Sequence, residues 1–109
     1  MPLPQTAALL RIYTEEGKMS GHRPLYEDIV VRARASGLAG ATVLRGPMGY
    51  GRHAHVHTAK LVDVAPRLPL VIEIVDAEDK LRTFLEHLAD VPDLGLATLE
   101  KVEIIRRDT

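Results

Sequence analysis

The sequence predicts an α+β domain of ferredoxin-like order, β-α-β-β-α-β, with an antiparallel sheet carrying both helices on one face. Three observations lead there. Two segments repeat apolar residues at helical spacing: Leu25, Ile29, Val30 and Ala33, then Leu81, Phe84, Leu85 and Leu88. Four short aliphatic segments flank and separate them, bounded by polar residues, Gly or Pro. The chain is 109 residues long and 46% hydrophobic, enough for one domain (1–109) with its own core, and with only 4% aromatics that core is built of Leu, Val, Ile and Ala.

In chain order, residues 1–6 carry two prolines and read as a loose lead-in. Ala7–Thr14 is the first strand. Glu15–Arg23 is a polar connection with two glycines, whose Lys18, His22 and Arg23 either face a ligand or are simply solvated. Pro24 suits a first helical turn, and the helix is expected over Pro24–Ser36. Its acids, Glu27 and Asp28, precede its bases, Arg32 and Arg34, as the helix dipole favours, and Gly37 is a natural residue just past its end. Gly40–Arg45 is the second strand. Ala59–Val64 alternates and could be the returning arm of a hairpin. Leu70–Val75 is the clearest strand, mostly β-branched. Asp76 can cap the helix expected over Ala77–Leu88. After a turn at Asp90–Gly95, Leu96–Ile105 makes the last strand, and Arg106–Thr109 is a polar tail. With both helices on one face, the opposite face is left bare. Val43, Ile72 and Ile74 are expected there, an apolar surface that predicts self-association.

Gly46–Thr58 organises the chain. Three glycines and a proline fall within Gly46–Gly51, unsuited to the middle of a regular element. Arg52 and the alternating His53, His55 and His57 follow. On an extended segment these imidazoles share one face at about 7 Å spacing, an acceptable set for zinc, nickel or copper. Otherwise they are solvated loop residues. Anion binding is another reading: Gly46, Gly49 and Gly51 would let backbone N–H groups converge on a phosphate, with Arg45, Arg52, Lys101, Arg106 and Arg107 adding charged hydrogen bonds. No helix follows Gly49-Tyr50-Gly51, so a Rossmann phosphate site is rejected. Composition and spacing leave nucleotide binding open.

Composition narrows the classes. With 14 basic and 15 acidic side chains the formal charge is −1, which offers no general field for nucleic acid or an anionic membrane. No cysteine is present, which removes disulfides, thiolate metal sites and thiol nucleophiles. No apolar run approaches the roughly 20 residues of a membrane span, and the N-terminus lacks a signal-peptide layout, so a cytoplasmic protein without membrane insertion is expected. No nucleophile elbow, phosphate-binding Walker loop or paired-histidine zinc helix occurs, and a non-enzymatic protein is expected.

Blocks of the sequence resemble a known family. Pro24-Leu25-Tyr26-Glu27, Gly37 to Gly46, Gly49-Tyr50-Gly51, His57-Thr58-Ala59-Lys60, Leu68 to Asp76 and Thr98-Leu99-Glu100-Lys101-Val102 are together similar to the domain-of-unknown-function 190 family, over about Leu10–Ile105. That family belongs to the PII-like signalling superfamily. The resemblance implies a homotrimer with sheets facing inward and an adenine nucleotide (AMP, ADP or ATP) in the clefts between subunits. It implies an effector loop over residues 46–58 that reports to a protein partner, with a membrane channel or transporter as the candidate. Gly49-Tyr50-Gly51-Arg52-His53 resembles the Gly-Phe-Gly-Arg-Gln at the base of the PII effector loop, with His53 in place of Gln. Val75 matches a position lining the adenine pocket, and Arg106 and Arg107 resemble C-terminal basic residues that reach phosphates. Three departures stand out: a shorter loop without the modified tyrosine, Pro92-Asp93-Leu94-Gly95-Leu96 in place of the Gly-Asp-Gly-Lys phosphate loop, and a longer connection before the first helix whose Lys18, His22 and Arg23 could substitute. These departures speak against 2-oxoglutarate sensing with Mg-ATP. The same architecture also occurs in copper-tolerance trimers, which keeps a metal role for His53, His55 and His57 open.

Overall fold

Side-chain alternation decides how the layers stack. The computed structural model describes residues 5–51, 56–58 and 67–107. Its main elements are β1 (Thr6–Glu15), α1 (Leu25–Ala35), β2 (Thr42–Arg45), β3 (Pro69–Asp76), α2 (Glu78–His87) and β4 (Leu96–Glu103). The sheet order is β2-β3-β1-β4, every neighbour antiparallel. This is the expected ferredoxin-like plan. No helix among the described residues is long and apolar enough to cross a membrane.

Ala8, Leu10 and Ile12 of β1 and Ile72 and Ile74 of β3 are buried in one core with Leu25, Ile29 and Ala33 of α1 and with Leu81, Phe84 and Leu88 beneath α2. The apolar stripes expected on both helices are therefore the ones that pack. Both helices cover the same face, and this corrects the expected composition of the bare one. Ile72 and Ile74 are 0% and 1% exposed, and Val43, opposite Ile72, packs against the same core. All three lie under the helices.

Strand register gives the true content of the bare face as bands running across the strands. Leu44, Val71, Tyr13 and Leu96 form an apolar band through all four strands. Thr42, Glu73, Arg11 and Thr98 form a polar one, and Val75, Leu9 and Glu100 form a third. Arg11 Nε donates to Glu73 Oε2 at 2.9 Å and Nη1 to Glu100 Oε1 at 2.6 Å. The hydrogen bond that Arg11 donates to Glu73 leads the forces that raise the guanidinium's pKa above its ordinary value, and the nearby Glu100 carboxylate adds to them.

Element ends differ from expectation for local reasons. Pro24 is the N-cap of α1 rather than its first helical residue, its ψ of 139° being extended. At the other end Leu38 N bonds to Ala33 O and Gly37 N to Arg34 O, with Gly37 at φ +76°, so the expected glycine closes a Schellman turn. Asp76 does not cap α2. Ala77 holds the cap position, and the buried Asp76 carboxylate accepts from the backbone N–H of Ala39 at 2.9 Å and of Ala77 at 2.7 Å. That tie draws Ala39 away from the sheet edge, and β2 starts at Thr42 instead of Gly40. β1 claims Thr6 from the expected lead-in, because the ladder to β4 reaches Glu103 and Gln5 O accepts from Ile104 N at 2.7 Å. The hairpin arm expected over Ala59–Val64 lies outside the described residues.

Arg32 staples the two helices, donating to Asp90 at 3.0 and 3.3 Å and lying 3.1 Å from Asp28. Hydrogen bonding to Arg32 lowers the Asp90 pKa. A lowered carboxylate pKa contributes stability that is present above its unfolded-state value and lost as pH falls through the folded one. Acidification below about pH 4 should therefore lower the melting temperature less in Asp90→Asn than in the unaltered protein. Equal acid slopes would contradict this. The pair is solvent-exposed, so the difference is small.

Candidate functional site

Arg45 ends β2, and the chain turns immediately around the ring of Pro69. Gly46 N donates to Pro69 O at 2.9 Å, and a Cβ on Gly46 or Gly49 would stand 3.1 or 3.0 Å from Pro69 Cγ. Glycine allows that approach without displacing the ring. Met48–Gly49 then pair with His57–Thr58 as a two-residue antiparallel ladder, so part of the glycine-rich stretch is regular after all. Gly46, Gly49 and Gly51 all have φ outside the left-handed region. In this conformation Gly46 and Gly49 serve the turn around Pro69. Tyr50, 73% exposed, projects beyond it.

Arg45 is held by a residue that the sequence pattern did not single out. Its Nε lies 2.7 Å from Glu16 Oε1 and its Nη2 donates to Glu16 Oε2 at 3.4 Å. The Glu16 side chain is 19% exposed and that of Arg45 64%. Arg67, also missed, lays its side chain across Gly17, where a Cβ would meet its Cγ, Cδ and Nε at 2.9 Å. Glu16 and Arg67 are joined to Arg45 only through tertiary structure: Glu16 N bonds to Leu68 O, and Leu70 pairs with both Arg45 and Thr14.

The other expected residues lie elsewhere. Val75 faces the bare side of the sheet opposite Leu9, and Lys101 stands opposite Ala8 on the far edge strand. Arg106 and Arg107 continue past that end. Lys101 also lines an open depression of about 490 Å³ with Gln5, Thr6, Val102 and Glu103. Arg45 is level with Thr14 of β1 and Lys101 with Ala8. The two are thus about 20 Å apart along the strands and about 14 Å across them. One chain does not bring these groups together.

Lys18, expected as a substitute phosphate ligand, donates to Asp93 O at 2.5 Å and sits 3.7 Å from Asp93 Oδ2. It ties the connection before α1 to the turn that stands where a phosphate loop was absent from the sequence. Arg23 lies 4.0 Å from Glu27 Oε1, and His22 is exposed at the tip of a short hairpin in which Met19–Ser20 pair with Arg23–Pro24. Arg52, His53 and His55 lie outside the described residues, and of His57 only the backbone pairing is described. Among the described residues no group of three or more His, Asp or Glu converges as a metal site would require.

Comparison with known proteins adds four findings. The family model DUF190 (Uncharacterized ACR, COG1993) matches residues 7–104. A UPF0166 protein of Aquifex aeolicus is 42% identical over 97 residues, covering 89% of this chain and 91% of that protein. The crystal structure of a PII-like signalling protein from Thermus thermophilus superposes with a TM-score of 0.64 at 17% identity, over 92% of this chain and 90% of that one. CPII, a nitrogen regulatory PII-like protein from Thiomonas intermedia bound to ADP, AMP and bicarbonate, superposes with a TM-score of 0.65 at 17% identity, over 93% and 90% of the two chains. At such identities the likeness establishes a common PII-like fold and no more.

Proposed function

The chain belongs to the DUF190 family, and on that premise we propose that it is a non-enzymatic PII-like regulator: a cytoplasmic homotrimer that binds an adenine nucleotide between subunits. The separation of the candidate residues between two diagonal corners of one sheet carries this reading. Arg45, Gly46 and Gly49-Tyr50-Gly51 sit at one corner, with Arg52 and His53 next in sequence; Lys101 lies at the diagonal corner with Arg106 following its strand, and Val75 stands at that same end of the sheet on β3. A mononucleotide is too short to span them in one subunit. Packing the bare faces of three copies together would set one subunit's first corner beside its neighbour's second.

The bare face supports such packing, since among the described residues its apolar bands have no covering layer of their own. A structural neighbour that carries ADP and AMP supports the ligand class. Nucleotide contacts would order residues 46–58 and so report occupancy to a protein partner, a membrane channel or transporter being the candidate. Isothermal calorimetry with AMP, ADP and ATP tests the core of this. Saturable heat with one site per subunit is expected for at least one of them, and no heat with any adenine nucleotide overturns the reading.

A further inference from the structure

We propose that the corner formed by Arg45, Glu16 and Arg67 is the phosphoryl-binding half of the site, and that Glu16 is an internal occupant which incoming phosphoryl oxygens displace from Arg45. This rests on the nucleotide reading above and adds to Arg45 two residues, Glu16 and Arg67, that the sequence motifs do not contain. The geometry is that of an exchangeable contact. Glu16 Oε1 lies 2.7 Å from Arg45 Nε, yet it is buried from water and has no well-aligned hydrogen-bond donor among the described residues. Distance alone makes this an ion pair, whereas the angles make it a poor hydrogen bond. A misdirected contact of this kind contributes little.

An arginine presents five N–H donors in a planar fork that matches two phosphoryl oxygens better than a carboxylate joined by one 3.4 Å hydrogen bond to Oε2 and a misdirected contact at Oε1. Exchange would release Glu16, 19% exposed, while Arg45, 64% exposed, already faces solvent. Arg67 supplies the second cation. Its stem crosses Gly17, the residue after Glu16, where the lack of a side chain leaves room for it. Lys18 is not available in the same way, because Asp93 already holds its ammonium through both a backbone oxygen and a carboxylate.

The test measures binding of two probes, ADP and inorganic pyrophosphate, to the unaltered protein and to Glu16→Gln, Arg45→Gln, Arg67→Gln and the Glu16→Gln/Arg45→Gln pair. Melting temperature and oligomeric state serve as folding controls. Glutamine keeps the size of Glu16 without its charge, so Glu16→Gln should bind pyrophosphate about fivefold more tightly. Arg45→Gln and Arg67→Gln should each bind it about tenfold more weakly. The gain from Glu16→Gln should vanish in the Arg45→Gln background, since the two groups act on one another. An unchanged affinity in Glu16→Gln, a gain that survives without Arg45, or no pyrophosphate binding by any variant overturns the proposal. Pyrophosphate binding with this pattern but no ADP binding would uphold the corner while removing the nucleotide reading, so the two ideas fail separately.

Discussion

Val71→Asp is expected to dissolve the proposed trimer into single subunits and to abolish the proposed nucleotide binding with it. Val71 lies in the apolar band of the bare face, between Leu44 on β2 and Tyr13 on β1. In an isolated subunit its partly exposed position lets the new carboxylate keep most of its hydration, so the fold survives. In an assembly the same carboxylate is buried against another copy's apolar band, at a cost of several kcal/mol per group. Association should weaken by at least about a thousandfold, since every 1.4 kcal/mol is a factor of ten. Light scattering coupled to size-exclusion chromatography reads the mass directly, and circular dichroism checks that the subunit remains folded. A folded Val71→Asp protein that keeps its trimer mass, or an unaltered protein that elutes as a monomer, would contradict the prediction and the intersubunit site together.

Gly95→Ala is expected to unfold the protein more readily than any other single glycine change. Gly95 enters β4 at φ +110°, a conformation that side chains rarely adopt, and a Cβ there would overlap the carbonyl oxygen of Tyr13 in β1. That oxygen is backbone in the centre of the sheet and cannot swing aside as the end of a side chain would. Backbone strain of about 1–3 kcal/mol adds to a comparable cost for forcing the strands apart. About 3 kcal/mol or more of lost stability should follow, measured by urea denaturation at fixed protein concentration. Gly21→Ala is the control. Gly21 also has a left-handed φ, +63°, but nothing stands within 4 Å of the added Cβ. It should lose only about 1 kcal/mol. Equal losses in the two variants would mean that the close approach to Tyr13 carries no weight.

Much of this was legible before any coordinates. Helical spacing identified the residues of α1 and α2 that pack, and Gly37 behaved as the left-handed residue its position suggested. The faces of the sheet were not legible from the same cues. Leu70–Val75 is apolar at every position except Glu73, so hydrophobicity does not say which parity points at the helices. Glu73 and Arg11 held the signal, each a lone charge in an aliphatic strand. Their meaning emerges only when register sets them in one band, 2.9 Å apart.

The candidate site divides along the same line. Its contiguous part, Arg45 to Gly51, was visible as a motif because glycine and proline restrict the backbone locally. The part that Gly46 and Gly49 play in the turn was not legible, because it answers to Pro69, some twenty residues further on. Glu16 and Arg67 left no pattern, because a partner 29 positions away from Arg45 has no period in the chain.

Sequence alone determined where strands and helices form, which helical stripes are apolar and which family the chain resembles, because these follow from steric and hydrophobic preferences acting over a few neighbouring residues. Tertiary structure alone decided which side of the sheet is bare, that Glu16 faces Arg45, and that Arg45 and Lys101 stand at opposite corners. Those outcomes depend on pairing register, and a shift of one residue in register would turn every side chain to the other face.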